Sequence, residues 1–327
     1  MMRHAAVAQA AVIARQDQPG NTRLVAYVVA NAEALKEIDG RSDAAIRDER
    51  VGEWQTIFNE TYASSEPGEG PTFVGWNSSY TAAPIPHSEM QEWLAGTVDR
   101  IAAFNSKRIL EIGCGVGLLV QHLAPRCKLY RATDFSASAI SELQGWLRRQ
   151  SGMHHVEVVR REATDLEDIE AASVDTVILN SVVQYFPNIS YLLEVLEKAV
   201  ERVSPGGRVF VGDIRNFGLL PVFHSSVQLA KAAGKLSVGQ LKARAFRAAA
   251  LENELTLHPS FFTVLQRHLA QITSVDILLK RGHAYNELTR YRYDAVLYVG
   301  ELATPEVEQT IEWIDEDLQC TEPAACA

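Results

Sequence analysis

Residues 108–117 read Arg-Ile-Leu-Glu-Ile-Gly-Cys-Gly-Val-Gly. An apolar strand (Ile109, Leu110, Ile112) runs through Glu111 into Gly113, Gly115 and Gly117. Glycines remove Cβ atoms where a backbone turns sharply and let a ligand approach closely. Seventeen residues beyond Gly117, a second apolar strand, Leu129-Tyr-Arg-Ala-Thr133, ends in Asp134. A carboxylate there is placed to accept from the two hydroxyls of a ribose. The pair predicts a nucleoside-containing cofactor at the strand ends of a parallel sheet. A dinucleotide fold spaces its glycines as G-x-G-x-x-G around a pyrophosphate. Here the spacing is E-x-G-x-G-x-G. A carboxylate at Glu111 would repel a pyrophosphate and would suit a ligand carrying an amine and a sulfonium.

The elements that must position these groups alternate. Strands are expected at 108–113, 129–134, 156–161, 174–180 and 207–213, with helices at 116–124, 136–150 and 190–203. Pro205-Gly-Gly207 is a turn into the fifth strand. Such alternation predicts an α/β fold, a doubly wound parallel sheet with right-handed crossovers. Residues 274–280 and 293–299 read as two further strands paired as a terminal hairpin, which makes the sheet edge antiparallel. Residues 215–272 form a long, mostly helical insertion. Upstream, Ala-Val-Ile-Ala at 11–14 and Arg23-Leu-Val-Ala-Tyr-Val-Val29 flank Gln16-Asp-Gln-Pro-Gly-Asn21 and predict a hairpin over 5–30, too small to fold alone. Residues 31–50 are polar, helical or a linker. Residues 51–62 read as a helix with Trp54, Ile57, Phe58 and Tyr62 near one face, followed by a flexible loop, Glu66-Pro-Gly-Glu-Gly-Pro71. Ser88 with Gln91 reads as a capping box for a helix running to about Phe104.

The 327 residues, 47% hydrophobic and 22% charged, suit a soluble globular chain. A net charge of −10 argues against non-specific binding to nucleic acid or to an anionic membrane. No apolar run reaches the roughly 18 residues of a membrane span, and the N-terminus lacks a signal-peptide core. None of Cys114, Cys127, Cys320 and Cys326 sits in a C-x-x-C pair, so no metal is expected. Cys114 fits by packing in the glycine loop, and a Cys320–Cys326 disulfide is weakly supported. Cysteine usage points to a reduced, cytoplasmic setting.

The glycine loop resembles motif I of the class I S-adenosylmethionine (SAM) methyltransferases. The segment from about 51 to 300 resembles the methyltransferase domains embedded in non-ribosomal peptide synthetases. Six runs in order carry that resemblance: Gly75-Trp-Asn-Ser-Ser-Tyr80, the glycine loop, Thr133-Asp-Phe-Ser136, Leu179-Asn-Ser-Val-Val-Gln-Tyr-Phe186, Pro205-Gly-Gly-Arg-Val-Phe-Val-Gly-Asp213 and Asn286-Glu-Leu-Thr-Arg-Tyr-Arg-Tyr293. The hairpin at 5–30 resembles a piece of the small C-terminal subdomain of an adenylation domain, where such methyltransferases are often inserted. The resemblance implies residues 1–50 as adenylation fragment plus linker, 51–302 as a Rossmann-like methyltransferase with a helical lid insertion at 215–272, and 303–327 as an acidic tail. It implies SAM as cofactor and, as partners, an adenylation domain and a carrier protein bearing an aminoacyl-phosphopantetheine thioester. The usual product in the family is an N-methyl aminoacyl thioester. A transferase acting on a side-chain oxygen or on a free small molecule, and a non-catalytic spacer, stay open as alternatives.

On this reading Glu111, Gly113, Gly115 and Gly117 line the methionine half of SAM. Asp134 holds the ribose, and as a strand-end carboxylate it also suits a helix cap. Phe135 stacks on adenine or packs. Thr164 and Asp165 follow the third strand, where an acceptor reads the adenine amine; a helix cap fits Asp165 equally. Asn180 and Ser181, ending the fourth strand, contact SAM near its methyl, and Gln184 and Tyr185 face the substrate, with Phe186 as core. Trp76, Asn77 and Tyr80 form a lid that excludes water, against the plainer reading of a surface turn. His224, in the insertion, is a base, an orienter or a structural histidine. The resemblance brings Asn286 or Glu287 to the substrate amine, with Arg290 and Tyr291 in the same cluster and Arg292 facing solvent. Tyr185, His224 and Glu287 are the candidate proton acceptors.

Overall fold

The computed structural model describes residues 7–18, 21–31, 43–63, 71–232, 234 and 236–300. The tip of the expected hairpin turn, most of the 31–50 linker, the 66–71 loop except Pro71, the tail from Thr304 and the Cys320–Cys326 pair lie outside the described residues.

The first two strands, β1 (Val7–Gln18) and β2 (Asn21–Ala30), pair antiparallel. Helix α1 (Asp43–Ala63) runs through residue 51 without a break. Helix α2 (His87–Ala102) begins one residue before the expected cap. Pro86 is its N-cap and no side chain caps it, so the Ser88–Gln91 box does not form. Proline suits the opening of a helix because its fixed φ is already near helical. Ser88 therefore sits inside the first turn.

The main sheet is built from β3 (Arg108–Ile112), β4 (Leu129–Asp134), β5 (Val156–Arg160), β6 (Val174–Asn180), β7 (Val203–Arg215), β8 (Ile272–Leu279) and β9 (Arg292–Val299). Its order is β5-β4-β3-β6-β7-β9-β8. The first five are parallel, and β9 pairs antiparallel with both β7 and β8. The order reverses between β3 and β6, so the crevice beyond their C-terminal ends is where such a sheet receives a ligand. Helices α3 (Ala137–Leu147) and α4 (Ile189–Arg202) cross over between parallel strands. The insertion after β7 carries α5 (Leu220–Ala230), α6 (Val238–Ala250) and α7 (Ser260–His268). The helix expected at 116–124 shrinks to one turn, Val120–Leu123, followed by a 3-10 turn at Ala124–Arg126. Gly117 has a left-handed backbone (φ +91), which keeps 116–119 out of the helix, and Pro125 just beyond it has no N–H to continue an α-helix.

Side chains alternate across the sheet as strand geometry requires. Leu110, Ile112, Val177, Leu179, Val209 and Val211 face α4 and α7 in one buried cluster. Ile109, Tyr130, Ala132, Ile178 and Phe210 face α2 and α3 in the other. Helix α4 meets its cluster through Leu192, Val195, Leu196, Ala199 and Val200, the spacing of one helical stripe. Asn188 caps it by accepting from the Tyr191 N–H at 2.9 Å.

Glu111 is enclosed by this sheet and is only 3% exposed. Its carboxyl accepts a hydrogen bond from the Tyr130 hydroxyl at 2.7 Å on the neighbouring strand. Burial pushes its pKa up to about 7, with the Tyr130 bond opposing and the Asp134 charge adding to the rise. A carboxyl whose folded pKa exceeds its unfolded value holds its proton more tightly when folded. It therefore withdraws stability as pH climbs from about 4.5 towards 7. Glu111→Gln keeps a hydrogen-bond acceptor and removes the titration. We expect the variant to gain about 1–3 kcal/mol over the wild type on going from pH 5 to pH 8. Urea midpoints of both proteins at the two pH values check this; equal pH dependence refutes the assignment.

Candidate active site

A cavity of about 550 Å³ opens at the C-terminal ends of β3, β4, β6 and β7. Its floor is the glycine turn. Gly113 adopts φ +77 and Gly115 φ +52, both in the left-handed region. A Cβ on Gly113 would lie 2.6 Å from Val182, and one on Gly115 would lie 3.0 Å from the Tyr62 hydroxyl, so the cradle exists only for glycine. Gly117 (φ +91) does not line the cavity. A Cβ there would come within 2.4 Å of Leu143, so this glycine lets α3 close on the turn.

Asp134 lines the cavity beside the turn. One carboxylate oxygen accepts from the Gly115 N–H at 2.9 Å and the other from the Ser136 N–H at 2.8 Å. Burial raises its pKa, with these backbone donors pulling the other way. A carboxylate offers about four lone-pair positions, so two remain for a ligand's hydroxyls. Ser136, not Asp134, caps α3, accepting from the Ala139 N–H at 3.2 Å. Phe135 forms the adjoining wall, its ring 6.1 Å from that of Phe58. Helix α1 closes this end with Val51, Phe58 and Tyr62, a wall the sequence reading did not foresee.

Several expected contacts fall elsewhere. Glu111 is not a cavity residue, because the Tyr130 hydroxyl holds it inside the sheet. At about pKa 7 it is not the fixed anion that the argument against pyrophosphate assumed. Thr164 is buried outside the cavity and Asp165 is exposed. The chain turns one residue earlier than expected, so Arg161 and Ala163 form the wall there. Arg161 is in turn tied to both carboxylate oxygens of Asp168. Asn180 lies behind the cavity, with its Oδ1 buried and without a hydrogen-bond partner among the described residues. Ser181 does line it. Gln184 is buried, its amide donating to the Ser181 carbonyl at 3.1 Å.

The other half of the cavity faces β7, β9 and the insertion. Trp76, Asn77 and Ser79 line it, and the Trp76 ring packs on Trp93 at 4.7 Å between centroids. Tyr80 does not line it; its hydroxyl pairs with Ser226 on α5 at 3.0 Å, clasping the two covering segments together. Leu220, Phe223, Val227 and Tyr291 supply apolar surface. Tyr185 is enclosed by aromatic rings, with Trp54 at 4.7 Å and Phe58 at 4.8 Å. Burial, then the charge of Glu254, push its phenol up to about 12 while Arg292 pulls it down, so it stays a neutral hydrogen-bond donor. His224 lines the cavity with Nε2 at 3.2 Å from Glu252, which also binds Arg215 at 2.7 Å. Glu254 takes the second arm of Arg215 at 2.7 Å.

The cluster before β9 divides. Glu287 is buried and lines the cavity. Its Oε1 accepts from the Ser79 N–H at 2.5 Å and its Oε2 from the Ser78 hydroxyl at 3.5 Å. Asn286 does not reach the cavity; it caps the turn at Leu288 and Thr289 and donates to Glu89 at 2.6 Å. Arg290 lies over the Tyr285 ring at 4.0 Å, also outside. Arg292, expected to face solvent, is instead a cavity residue paired with Asp213 at 2.5 Å.

Asp213 is the group that sequence reasoning passed over. It is fully buried and accepts from Ser181 Oγ at 2.6 Å and Trp93 Nε1 at 3.0 Å as well as from Arg292. Burial opposes its charge, yet Arg292, Lys280 and these donors hold its pKa below the usual carboxylate range. Ser181 (φ +57), just past β6, and Asp213 (φ +61), at the irregularity inside β7, both adopt left-handed backbone. Strain of this kind costs about 1–3 kcal/mol per residue and collects at functional sites. Asp213 stood in the quoted run Val-Gly-Asp213, but only its neighbours in space reveal its part.

Residues 110–209 match a family described as a methyltransferase domain. Chondramide synthase cmdD of Chondromyces crocatus is 42% identical over 321 residues, covering 95% of this chain and 8% of that protein. The probable non-canonical nonribosomal peptide synthetase CymA of Salinispora arenicola (strain CNS-205) is 42% identical over 294 residues, covering 90% of this chain and 4% of its own length. The chain thus spans under a tenth of these relatives. Among solved structures, the N-methyltransferase NodS from Bradyrhizobium japonicum WM9 in complex with S-adenosyl-L-homocysteine is similar at a TM-score of 0.44 and 16% identity, covering 69% of this chain and 100% of that one. The chain thus carries a methyltransferase-domain match at residues 110–209 and aligns along nearly its whole length with a segment of nonribosomal peptide synthetases, the pattern of a methyltransferase domain embedded in such a synthetase.

Proposed function

We propose that the chain transfers the methyl group of SAM to the α-amine of an aminoacyl or peptidyl thioester carried on a partner protein. One observation carries the reading. Glu287 is a buried carboxylate on the cavity wall with no lysine or arginine within 4.0 Å among the described residues. The other acidic side chains of that half are committed: Glu252 and Glu254 to Arg215, and Asp213 to Arg292. A buried charge without a partner is costly, so Glu287 suits a cationic ligand. A substrate ammonium is such a ligand.

The cradle of Gly113 and Gly115, with Asp134 and Phe135 beside it, holds SAM in this reading, and Trp76 and Asn77 cover it. Ala163, Arg161 and Ser181 complete the wall in place of Thr164, Asp165 and Asn180. When bound, SAM would supply an already activated methyl group, with its sulfur as the leaving group. The chain's residues prepare the amine. Glu287 receives the ammonium and takes one of its protons, which frees the lone pair. Tyr185, a neutral phenol, donates a hydrogen bond and orients, and it accepts no proton. His224 is fixed by Glu252 at the far wall and positions the substrate. Tyr291 adds an apolar face. Closure over the site removes water, and orienting the reactants contributes about 7–11 kcal/mol in favourable cases. The hairpin of β1 and β2 we read as a piece of an adenylation C-terminal subdomain.

Intact mass spectrometry of aminoacyl carrier proteins incubated with SAM and the chain tests the reading. One methyl on the α-nitrogen supports it. A methyl on a side-chain oxygen or on free small molecules moves the acceptor, and no transfer leaves a spacer. Glu287→Gln should lower kcat by about 10²–10⁴-fold, with SAM affinity by calorimetry unchanged. Loss of SAM affinity instead would place Glu287 on the cofactor. Tyr185→Phe should reduce turnover about tenfold at constant SAM affinity; an unchanged rate returns Tyr185 to packing.

A further inference from the structure

The chain carries 41 acidic residues, yet none lies between Asp213 and Glu252, a stretch of 38 residues. That stretch contains Lys231, Lys235, Lys242, Arg244 and Arg247 beside Arg215, which pairs with Glu252 and Glu254. It is the helical insertion. The inner side of α5 (Leu220, Phe223, Val227) is cavity wall, and Lys231 stands at the cavity rim. The outer surface of α5 and α6 faces solvent. Lys242, Arg244 and Arg247 are exposed on α6 and make no ion pair with any described residue. Among them stand exposed apolar side chains: Phe246 at 79%, with Val238 and Leu251, and on α5 Val222 and Leu229.

We propose that the outer face of α5 and α6 is the docking surface for an acidic protein that delivers the acceptor to the cavity mouth. The proposal rests on the reading of the acceptor as a carrier-bound thioester. Charge complementarity selects the partner. A chain of net charge −10 repels an acidic protein over most of its surface and admits it where carboxylates are absent. The pattern favours protein over a lipid surface. Interfacial helices segregate apolar and basic residues onto opposite faces. On α6 the row Val238, Lys242, Phe246 and the row Arg244, Arg247, Leu251 each mix the two. An apolar anchor ringed by cations is how a protein interface with an acidic rim is built. The location adds a functional reason, because the same helix pair that the partner would touch forms the wall of the acceptor half of the cavity.

The test uses a phosphopantetheinylated peptide-carrier domain of net negative charge as probe. Its binding to the chain is followed by fluorescence anisotropy, and turnover is followed separately on pooled aminoacyl N-acetylcysteamine thioesters. The triple variant Lys242→Glu, Arg244→Glu, Arg247→Glu should weaken carrier binding about tenfold or more at low salt and leave thioester turnover within about twofold. Phe246→Ser should weaken binding with little change in its salt dependence. Reversing acidic residues on the carrier should restore binding to the triple variant. Unchanged carrier affinity in both variants overturns the proposal. So does tighter binding to heparin or to anionic vesicles than to the carrier, abolished by the same triple variant. Failure to methylate any thioester while carrier binding still responds would instead sink the acceptor reading and leave the docking surface standing.

Discussion

Asp213 is the constraint on which the acceptor half of the site depends. Four elements converge on one buried carboxylate. Ser181 comes from the end of β6, Trp93 from α2 and Arg292 from the start of β9, while Lys280 approaches from the end of β8. The Asp213 N–H meanwhile donates to Asp294 at 2.8 Å, and Asp294 also binds Lys280 and Arg100. Such a network works only when every member is satisfied, because an orphaned charge in a low dielectric is costly. Three of its members bear directly on the cavity: Ser181 and Arg292 line it, and Trp93 backs the lining Trp76. Two left-handed backbone positions, Ser181 and Asp213, are held in place by the bond between them. Cooperative closure of this cluster explains how an antiparallel edge added to a parallel sheet becomes part of the site.

The two halves of the cavity have different electrostatics. The half over the glycine turn relies on backbone shape, one carboxylate and aromatic walls. The half toward the insertion is rich in charge, but its charges are mostly spent on each other: Arg215 with Glu252 and Glu254, Arg292 with Asp213. Two arginines against three carboxylates leave that region negative, bordered by Phe223, Val227 and Tyr291, and Glu287 adds a carboxylate with no lysine or arginine beside it among the described residues. On the proposed reading, an acceptor would be recognised there by its cation and its apolar bulk.

What could be read from the sequence follows how local each feature is. Gly113, Gly115 and Asp134 were legible because a turn that needs left-handed backbone and a strand-end carboxylate are set within a few residues of chain. The strands were legible for the same reason, since Val174–Asn180 carries the apolar run Val177-Ile-Leu179 and is buried on both faces. Features that depend on distant partners were not legible. Arg292 looked solvent-facing because nothing near it in sequence announces Asp213, 79 residues away. Glu111 looked like a ligand contact because its fate is decided by Tyr130 across the strand pair. Thr164 and Asp165 were off by the shift of one strand end, which is enough to replace them with Arg161 and Ala163. The 116–124 helix lost its first turn at the left-handed Gly117, and the Ser88 box failed at Pro86, where proline's fixed φ overrode a side-chain signal.

An activated methyl donor asks little chemistry of its protein, so selectivity has to come from what is admitted and how it is held. The insertion answers both demands with one helix pair. Its inner side presents Leu220, Phe223 and Val227 to the cavity, and the Tyr80–Ser226 bond joins it to the segment carrying Trp76. Glu287 ties into that same segment through Ser78 and Ser79. A movement of α5 would therefore reach the covering loop and Glu287 through a few direct bonds. Whatever touches the outer surface of α5 and α6 acts on an element already bonded to the site, and this makes partner recognition and substrate positioning parts of the same mechanical unit.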